Sequence, residues 1–235
     1  MVRRTGRLIA WRYRRMDAPD KPDSNTQRKN AVRASMRGQL QALTDAERAS
    51  RSASACARIL KSQAFQSAVC VMLYMPLRSE VDVMAVALEA FRLGKTVCVP
   101  RVADGGTFMH AVEIKSIDDE SMASDALGVP APRRGREVSQ DLIDLVITPG
   151  VAFDLRCERL GRGGGFYDRF LAKAHRHTTA IGICFDFQLV DEIPTAADDV
   201  PVHAVVTDRR AIEQSASRPV LAPPQQHNPQ QSNGA

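Results

Sequence analysis

Residues 144–171 read DLVITPGVAFDLRCERLGRGGGFYDRFL, and this stretch decides the fold class. It opens with a continuous apolar run at residues 145–148, which is typical of a strand buried on both faces of a parallel sheet. Pro149 and Gly150 end that strand, because proline cannot donate to a sheet ladder and glycine favours turns. A glycine-rich loop and a helical segment follow. The stretch therefore predicts a strand–loop–helix unit of an α/β protein.

The segment RLGRGGGFYD, residues 159–168, carries the chemistry of this unit. Glycines let successive backbone N–H groups enclose an anion, and arginines add charge-assisted bonds to phosphate oxygens. A carboxylate such as Asp168 just after the loop can hold the Mg²⁺ that accompanies a nucleotide. The segment is neither a GxxxxGK[ST] loop nor a complete GxGxxG fingerprint, since Phe166 stands where the third glycine belongs. We interpret it as a phosphate loop of another kind; a tight turn with solvated arginines is the alternative.

Outside this unit, strand-like and helix-like segments alternate along the chain. A capping box formed by Thr44 and Glu47 predicts where the second helix begins. The alternation predicts a single α/β domain, a three-layer sandwich in which helices cover both faces of a mostly parallel sheet. Loops after strand ends would then meet at one edge of the sheet. The predicted strands are 68–74, 96–99, 107–112, 145–148, 179–185 and 202–206. The predicted helices are 28–43, 44–60 and 82–93, and residues 164–175 are predicted to begin as the phosphate loop and to continue as a helix.

Composition divides the chain into a domain and two tails. Residues 1–26 are predicted to be a disordered basic arm, residues 27–213 the folded domain, and residues 214–235 a disordered Pro/Gln-rich tail. Two other interpretations of the arm remain open: translation that starts at Met16, or a transit peptide.

The formal net charge of +5 comes from the N-terminal arm. Residues 1–16 contain six arginines and no acidic residue, whereas the rest of the chain contains 26 basic and 27 acidic residues. A nearly neutral domain does not predict a basic surface for nucleic acid, so nucleic acid is expected to bind only through the arm, if at all. We expect small-molecule partners and a monomer.

Cysteine usage and hydropathy indicate a cytoplasmic protein. The five cysteines are widely spaced and form no CxxC pair, as is usual in a reducing compartment. No run of 18 apolar residues occurs, so no membrane-spanning segment is predicted.

Residues 144–171 and three further segments, in the same order, resemble the 5-formyltetrahydrofolate cyclo-ligase (methenyltetrahydrofolate synthetase) family. These segments are KNAVR at 29–33, YMPLRSEVD at 74–82 followed by GKTVCVPR at 94–101, and IPTAADDV at 193–200. The resemblance covers roughly residues 28–208. It implies that 5-formyltetrahydrofolate and MgATP react to give 5,10-methenyltetrahydrofolate, ADP and phosphate.

The resemblance also implies roles for individual residues. Lys29 and Arg33 match contacts to ATP phosphates, whereas Met75 and Glu80 match contacts to the reduced folate. Asp168 and Asp199 match ligands of Mg²⁺. The implied ATP loop comprises Arg159, Leu160, Gly161, Arg162, Gly163, Gly164, Gly165, Phe166 and Tyr167. Five of these residues are also implied to line the folate site: Arg162, Gly163, Gly164, Gly165 and Phe166. The implied catalytic residues are Arg159, Arg162 and Tyr167.

Some positions depart from the family pattern. Phe166 replaces a tyrosine that is common there, Asp198 stands where a histidine often precedes the aspartate, and His203 stands where an acid is common. Asp154 is expected to be a structural partner of a basic or backbone group rather than a catalytic residue.

His175 and His177 are not expected to bind metal, because residues two apart on a helix point in different directions. Two other functions stay open from the sequence. One is an ATP-dependent enzyme that activates a different formyl or acyl substrate. The other is a nucleotide- or RNA-binding regulator that uses the arginine arm.

Overall fold

A computed structural model describes residues 24–102, 106–117, 122–124, 130–132 and 135–214. The rest of the predicted arm and of the predicted C-terminal tail lies outside the described residues. The first helix begins at Ser24, so its first three residues fall within the segment predicted as the arm. Its first turn is held by Asn25, whose side-chain amide donates to the carbonyl of Thr195 at 2.9 Å.

The described residues form five α-helices and thirteen strands. The helices are α1 Ser24–Ala42, α2 Asp45–Lys61, α3 Gln63–Ser67, α4 Met84–Arg92 and α5 Phe166–Leu171. The strands are β1 Cys70–Met72, β2 Thr96–Val102, β3 Met109–Ile114, β4 Met122–Ser124, β5 Pro130–Pro132, β6 Glu137–Val138, β7 Leu145–Thr148, β8 Ala152–Asp154, β9 Arg159–Leu160, β10 Thr179–Cys184, β11 Leu189–Val190, β12 Ala204–Thr207 and β13 Ala211–Glu213.

Eight strands form one twisted sheet in the order β13-β12-β10-β7-β1-β2-β3-β6. The five strands from β12 to β2 are parallel, and β13, β3 and β6 add antiparallel edges. Val71 at the centre of β1 is paired with Val97 on one side and with Leu145 on the other. The mostly parallel α/β sheet predicted from the alternating segments is therefore confirmed, with an antiparallel extension after β2.

Each face of the sheet packs into its own hydrophobic core. Val71 belongs to the core shared with the buried faces of α1 to α4, whereas its neighbour Met72 belongs to the core shared with Phe170 and Leu171 of α5. Successive residues of a strand point to opposite faces, so a strand that is apolar throughout fills both cores. Helices therefore cover both faces, and the three layers are unequal.

Local signals explain where the helices begin and end. Thr44 and Glu47 form the predicted capping box, in which each side chain accepts the other residue's backbone N–H. The third predicted helix starts later than residue 82, because the Asp82 carboxylate accepts the N–H of Met84 at 2.9 Å. Helix α5 is shorter than predicted: it follows Gly165, and the chain leaves the helix after Leu171.

A second sheet has three strands in the order β11-β8-β9. Strands β8 and β9 lie between β7 and α5 in the chain and lead into the glycines, whereas β11 follows β10. Buried Asp154 holds this sheet, because its carboxylate accepts backbone N–H bonds from Arg156, Glu158 and Ile193 at 2.9 to 3.0 Å. The expected structural role of Asp154 is thus confirmed. In the part of the chain that the structure describes, no helix combines the length and apolarity needed to cross a membrane.

Candidate active site

One cavity of about 580 Å³ opens at the carboxyl ends of the parallel strands. The loops after β1 and β7 and the loop before β12 converge on it, as expected for a parallel sheet. All fifteen site residues predicted from the sequence line this cavity: Lys29, Arg33, Met75, Glu80, Arg159, Leu160, Gly161, Arg162, Gly163, Gly164, Gly165, Phe166, Tyr167, Asp168 and Asp199.

Helix α1 brings two cations to the cavity. Lys29 Nζ lies 2.5 Å from Asp199 Oδ2, and Arg33 Nε donates to the carbonyl of Gly161 at 3.0 Å. These residues are one turn apart, so both reach the same side of the helix. Met36 and Leu40 pack into the core and hold α1 on the domain. The basic pair is therefore part of the site rather than a solvated helix face.

Residues Gly161–Gly165, which we call the glycine loop, join β9 to α5. Gly163 and Gly165 have φ angles of 112° and 64°, a region that residues with a Cβ rarely adopt. Gly165 is also the residue that immediately precedes the first turn of α5. Glycine is required at these two positions because of their backbone conformation.

A nearly buried ion pair supports the loop from below. Arg159 is 3% exposed at its side chain, and its Nη2 atom lies 2.6 Å from Asp168 Oδ1. The same oxygen accepts the backbone N–H of Val200 at 3.4 Å. The guanidinium centre of Arg159 lies 5.6 Å from the ring of Tyr167. Residues on both sides of the glycine loop are thereby joined, which fixes how the loop enters and leaves the site.

Two buried polar atoms beside the cavity have no hydrogen-bond partner among the described residues. They are Arg159 Nε and the Tyr167 hydroxyl. Burial raises the pKa of Tyr167 above its usual value, with a smaller contribution from the charge of Glu80. The hydroxyl is therefore protonated at neutral pH and available as a donor. A buried donor without a partner is rare in native proteins and points to a ligand atom.

Across the cavity, Arg162 connects the glycine loop to the loop after β1. Its Nε donates to Glu80 Oε1 at 3.2 Å and its Nη2 donates to Ser79 Oγ at 2.8 Å. Glu80 Oε2 accepts the backbone N–H of Leu77 at 3.0 Å. Burial raises the pKa of Glu80, and the bonds from Leu77 and Arg162 partly oppose that shift. Arg162 remains 56% exposed, so it is free to move when a ligand enters.

The apolar wall of the cavity was not predicted from the sequence. It includes Val102 at the end of β2 and Met109 at the start of β3, together with Val151 after β7. These residues look like ordinary core or hairpin positions in the sequence. Only the return of β3 along β2 brings Met109 to the edge where the parallel strands end.

Comparison with known proteins agrees with this geometry. The profile of the 5-formyltetrahydrofolate cyclo-ligase family matches residues 25–208. The chain belongs to this family. It is 30% identical over 202 residues to a probable 5-formyltetrahydrofolate cyclo-ligase of Schizosaccharomyces pombe, an alignment that covers 79% of this chain and 97% of that one. It is also 30% identical over 181 residues to the 5-formyltetrahydrofolate cyclo-ligase of Escherichia coli K12, covering 76% of this chain and 99% of the relative.

The fold agrees as well. The NMR structure of 5,10-methenyltetrahydrofolate synthetase from Aquifex aeolicus superposes with a TM-score of 0.71 at 27% identity, covering 85% of this chain and 99% of that chain. The chain is therefore an enzyme of the cyclo-ligase class, as its resemblance to the family implied.

Two of the departures from the family pattern have clear surroundings in this cyclo-ligase. The ring of Phe166 lies 5.1 Å from the guanidinium centre of Arg169, so the aromatic face is used although no hydroxyl is present. His203 lies away from the cavity; its Nδ1 accepts the N–H of Ala180 at 2.9 Å, and burial lowers its pKa.

The predicted orientation of His175 and His177 was wrong. His175 and His177 do not point in different directions: their ring centroids are 4.4 Å apart. Helix α5 ends at Leu171, so helical spacing does not apply to these residues. Within the described ranges, no group of three or more His, Cys, Asp or Glu side chains is arranged to hold a metal ion.

Proposed function

We propose that this chain converts 5-formyltetrahydrofolate and MgATP into 5,10-methenyltetrahydrofolate, ADP and phosphate. The γ-phosphoryl group is transferred to the formyl oxygen, which makes that oxygen a leaving group. N10 then attacks the formyl carbon, and this new C–N bond closes the ring. The C–O bond breaks as phosphate leaves, and loss of the N10 proton gives the methenyl cation. Phosphoryl transfer of this kind depends on positioning and on charge neutralisation, and it needs no nucleophilic side chain.

The phosphates of ATP bind between α1 and the glycine loop. Lys29 and Arg33 supply positive charge from α1, and the backbone of the glycine loop, with flanking Leu160, supplies N–H donors. In the structure Lys29 is paired with Asp199. ATP therefore binds to cations that are already oriented by protein partners, which reduces the entropy lost on binding.

Mg²⁺ would be held by Asp168 and Asp199. Each carboxylate uses one oxygen for its ion pair, Oδ1 in Asp168 and Oδ2 in Asp199, and no hydrogen bond from a described residue occupies the other oxygen. One or two carboxylates together with phosphate oxygens and water suit this ion, so the donor set fits. When bound, it would neutralise charge on the phosphate oxygens.

The reduced folate binds on the side of the cavity formed by the loop after β1. Glu80 lies next to the cavity with its side chain 12% exposed, and its carboxylate can accept N–H donors of the pterin there. Met75 and the ring of Phe166 provide an apolar and aromatic surface for the flat ring system. Because Glu80 also accepts a bond from Arg162, the pterin and Arg162 compete for the same carboxylate oxygens.

Three residues act on the reacting groups. Arg162, once released from Glu80, neutralises charge on the transferring phosphoryl group. The Tyr167 hydroxyl donates a hydrogen bond to a substrate oxygen, since it is buried, protonated and without a protein partner among the described residues. Arg159 adds a fixed positive charge beneath the site and orients Tyr167 and Asp168.

One observation carries this proposal. One cavity brings together the glycine loop, four cationic side chains, two aspartates and one glutamate from segments far apart in the chain. The cations, the aspartates and the glycine loop suit a nucleoside triphosphate with its metal ion. The glutamate suits a neighbouring planar substrate with N–H donors, so the cavity fits the two ligands together.

Product formation tests the reaction. Purified protein is mixed with 5-formyltetrahydrofolate, with and without MgATP, and the ultraviolet absorbance of the methenyl product is followed. We expect a rise that requires both ATP and Mg²⁺. No rise from folded protein that binds ATP would contradict the proposed substrate and would favour another formyl or acyl compound.

Variants test the assignment of Arg162. The change R162A is expected to raise the KM for ATP, because a phosphate contact is lost. R92A is the matched control, since Arg92 lies on the surface of α4 and pairs only with Glu89 among the described residues. An unaltered KM in R162A would exclude a phosphate contact in the ground state.

We further propose a monomeric, cytoplasmic enzyme. The five cysteines are free and buried, which supports a reducing compartment. Sedimentation and subcellular fractionation test these two expectations.

A further inference from the structure

We propose that Arg169 is a positioning residue that holds the glycine loop in its ATP-binding conformation by tying it to the hairpin of β2 and β3. The inference rests on the ATP role proposed for the loop. Arg169 lies in α5, outside the lining of the cavity, so it acts on ATP only through the backbone of the loop.

The guanidinium of Arg169 bridges two backbone carbonyls from distant segments. Its Nη2 donates to the carbonyl of Gly164 at 2.7 Å, and its Nε donates to the carbonyl of Thr107 at 2.8 Å. Thr107 precedes β3, whose first residue Met109 forms part of the apolar wall of the cavity. A guanidinium presents its donors in a rigid fork, so it can satisfy both carbonyls at once.

The bond to Gly164 sets the direction of a loop N–H group. In a planar trans peptide the carbonyl and the following N–H point in opposite directions. The carbonyl of Gly164 points to Arg169, which lies outside the cavity lining. The N–H of Gly165 in the same peptide is therefore directed away from Arg169, which in the proposed ATP role is the side of the phosphates. A donor with that orientation is what a phosphate oxygen requires.

The loop is also packed directly on the guanidinium. A Cβ atom at Gly165 would lie 2.6 Å from Arg169 Nη1, and the ring of Phe166 lies 5.1 Å from the guanidinium centre. The backbone N–H of Arg169 donates to the carbonyl of Gly165 at 3.0 Å. Close packing, two hydrogen bonds to the loop and one to Thr107 together leave the loop few alternative conformations.

The chain offers a matched control. Lys173 follows α5 and lies 4.4 Å from the ring centroid of Phe108, so it contacts the same hairpin. Among the described residues, its side chain makes no hydrogen bond or ion pair with the glycine loop. K173M therefore removes a cation between the helix segment and the hairpin, while the bond to Gly164 stays in place. R169M removes the bridge itself, and R169K keeps the charge without the fork.

Steady-state kinetics and calorimetric binding of ATP are measured for the wild type and the three variants. We expect R169M to raise the KM and Kd for ATP about tenfold, the effect of losing roughly one hydrogen bond to a charged group, with kcat within about threefold. R169K should recover only part of the affinity for ATP, because a single ammonium group cannot replace the two guanidinium donors that bind the carbonyls of Gly164 and Thr107. K173M should bind ATP like the wild type.

Hydrogen–deuterium exchange of the peptide that covers the glycine loop gives a readout that does not depend on turnover. We expect faster exchange there in R169K and R169M than in K173M. Wild-type ATP affinity and wild-type exchange in R169M would overturn this inference and leave the proposed function intact. Absence of ATP binding by the wild type would instead overturn both.

Discussion

Replacing Asp168 by asparagine tests the ion pair beneath the glycine loop and the proposed metal ligand in one experiment. Asp168 Oδ1 lies 2.6 Å from Arg159 Nη2, and the side chains are 17% and 3% exposed. Asparagine keeps an acceptor oxygen at the same position but removes the negative charge. Arg159 would then be a buried cation without an anionic partner among the described residues.

The expected loss of stability follows from that burial. Removing one partner of a fully buried pair costs about 3–5 kcal/mol, and a charge-assisted hydrogen bond is worth about 1 kcal/mol more than a neutral one. Because asparagine retains a hydrogen bond and Asp168 is partly exposed, we expect about 2 kcal/mol. For a domain of this size that corresponds to a melting temperature about 4–8 °C lower. The variant should still fold, since typical stabilities are about 5–15 kcal/mol.

Thermal and urea denaturation are measured with and without MgATP. At a concentration of about 100 times Kd, a ligand stabilises the native state by about 2.7 kcal/mol. We expect the wild type to gain this stabilisation and D168N to lose most of it, together with a sharp fall in turnover. D45N is the control, because Asp45 and Arg78 form a pair that is 76% and 84% exposed. Its stability should change by about 0.5 kcal/mol at most.

The two parts of the reasoning fail in different ways. Equal stability of D168N and the wild type without ligand would refute the claim that Arg159 depends on this carboxylate. An undiminished MgATP shift in D168N, with unchanged activity at limiting Mg²⁺, would refute the metal role of Asp168.

Three further predictions concern other parts of the domain. Burial raises the pKa of Glu80, and its carboxylate is protonated as the pH falls through that pKa, so the KM for 5-formyltetrahydrofolate should rise on acidification. In E80Q this KM should not depend on that ionisation, and a wild-type KM that is equally independent of pH would contradict the pterin contact. T44A should lower the free energy of unfolding by about 1 kcal/mol, measured in urea, through loss of the capping box; no change would mean that the box does not support α2. Burial raises the pKa of Cys56 to about 12 and of Cys157 to about 11, so a thiol reagent should modify them only after denaturation; rapid labelling of the native protein would refute that.

Strands of the parallel core were predictable because burial on both faces leaves a direct mark in the sequence. Residues 145–148 were predicted as a strand, and β7 spans Leu145–Thr148. The hairpin strand β3 was displaced by two residues from the prediction, and α5 was shorter than predicted. In both cases the boundary depends on contacts with other segments. Strand β3 pairs along β2, and α5 ends at its two buried residues, Phe170 and Leu171, which pack in the core.

The membership of the candidate site was also predictable, since motif residues at set spacings and in a set order resemble one family. Their interactions were not. Lys29 and Asp199 are 170 positions apart, and Arg162 and Glu80 are 82 apart, so no local pattern indicates that these side chains meet. Arg169 stood inside the recognised stretch, yet its bond to Thr107 could not be inferred from the sequence.

The set of residues proposed for the site came from the resemblance of ordered motifs to one family. By itself, the sequence indicated the α/β class, the parallel core and the glycine loop. These features depend on properties that each segment carries alone: apolar runs, glycines that tolerate positive φ, capping residues and charges at set spacings. The tertiary structure decided which charges are paired, which donors stay without a protein partner, and which apolar residues form the cavity wall. Those outcomes depend on distances between segments that are remote in the chain, and such distances exist only once the whole domain has packed.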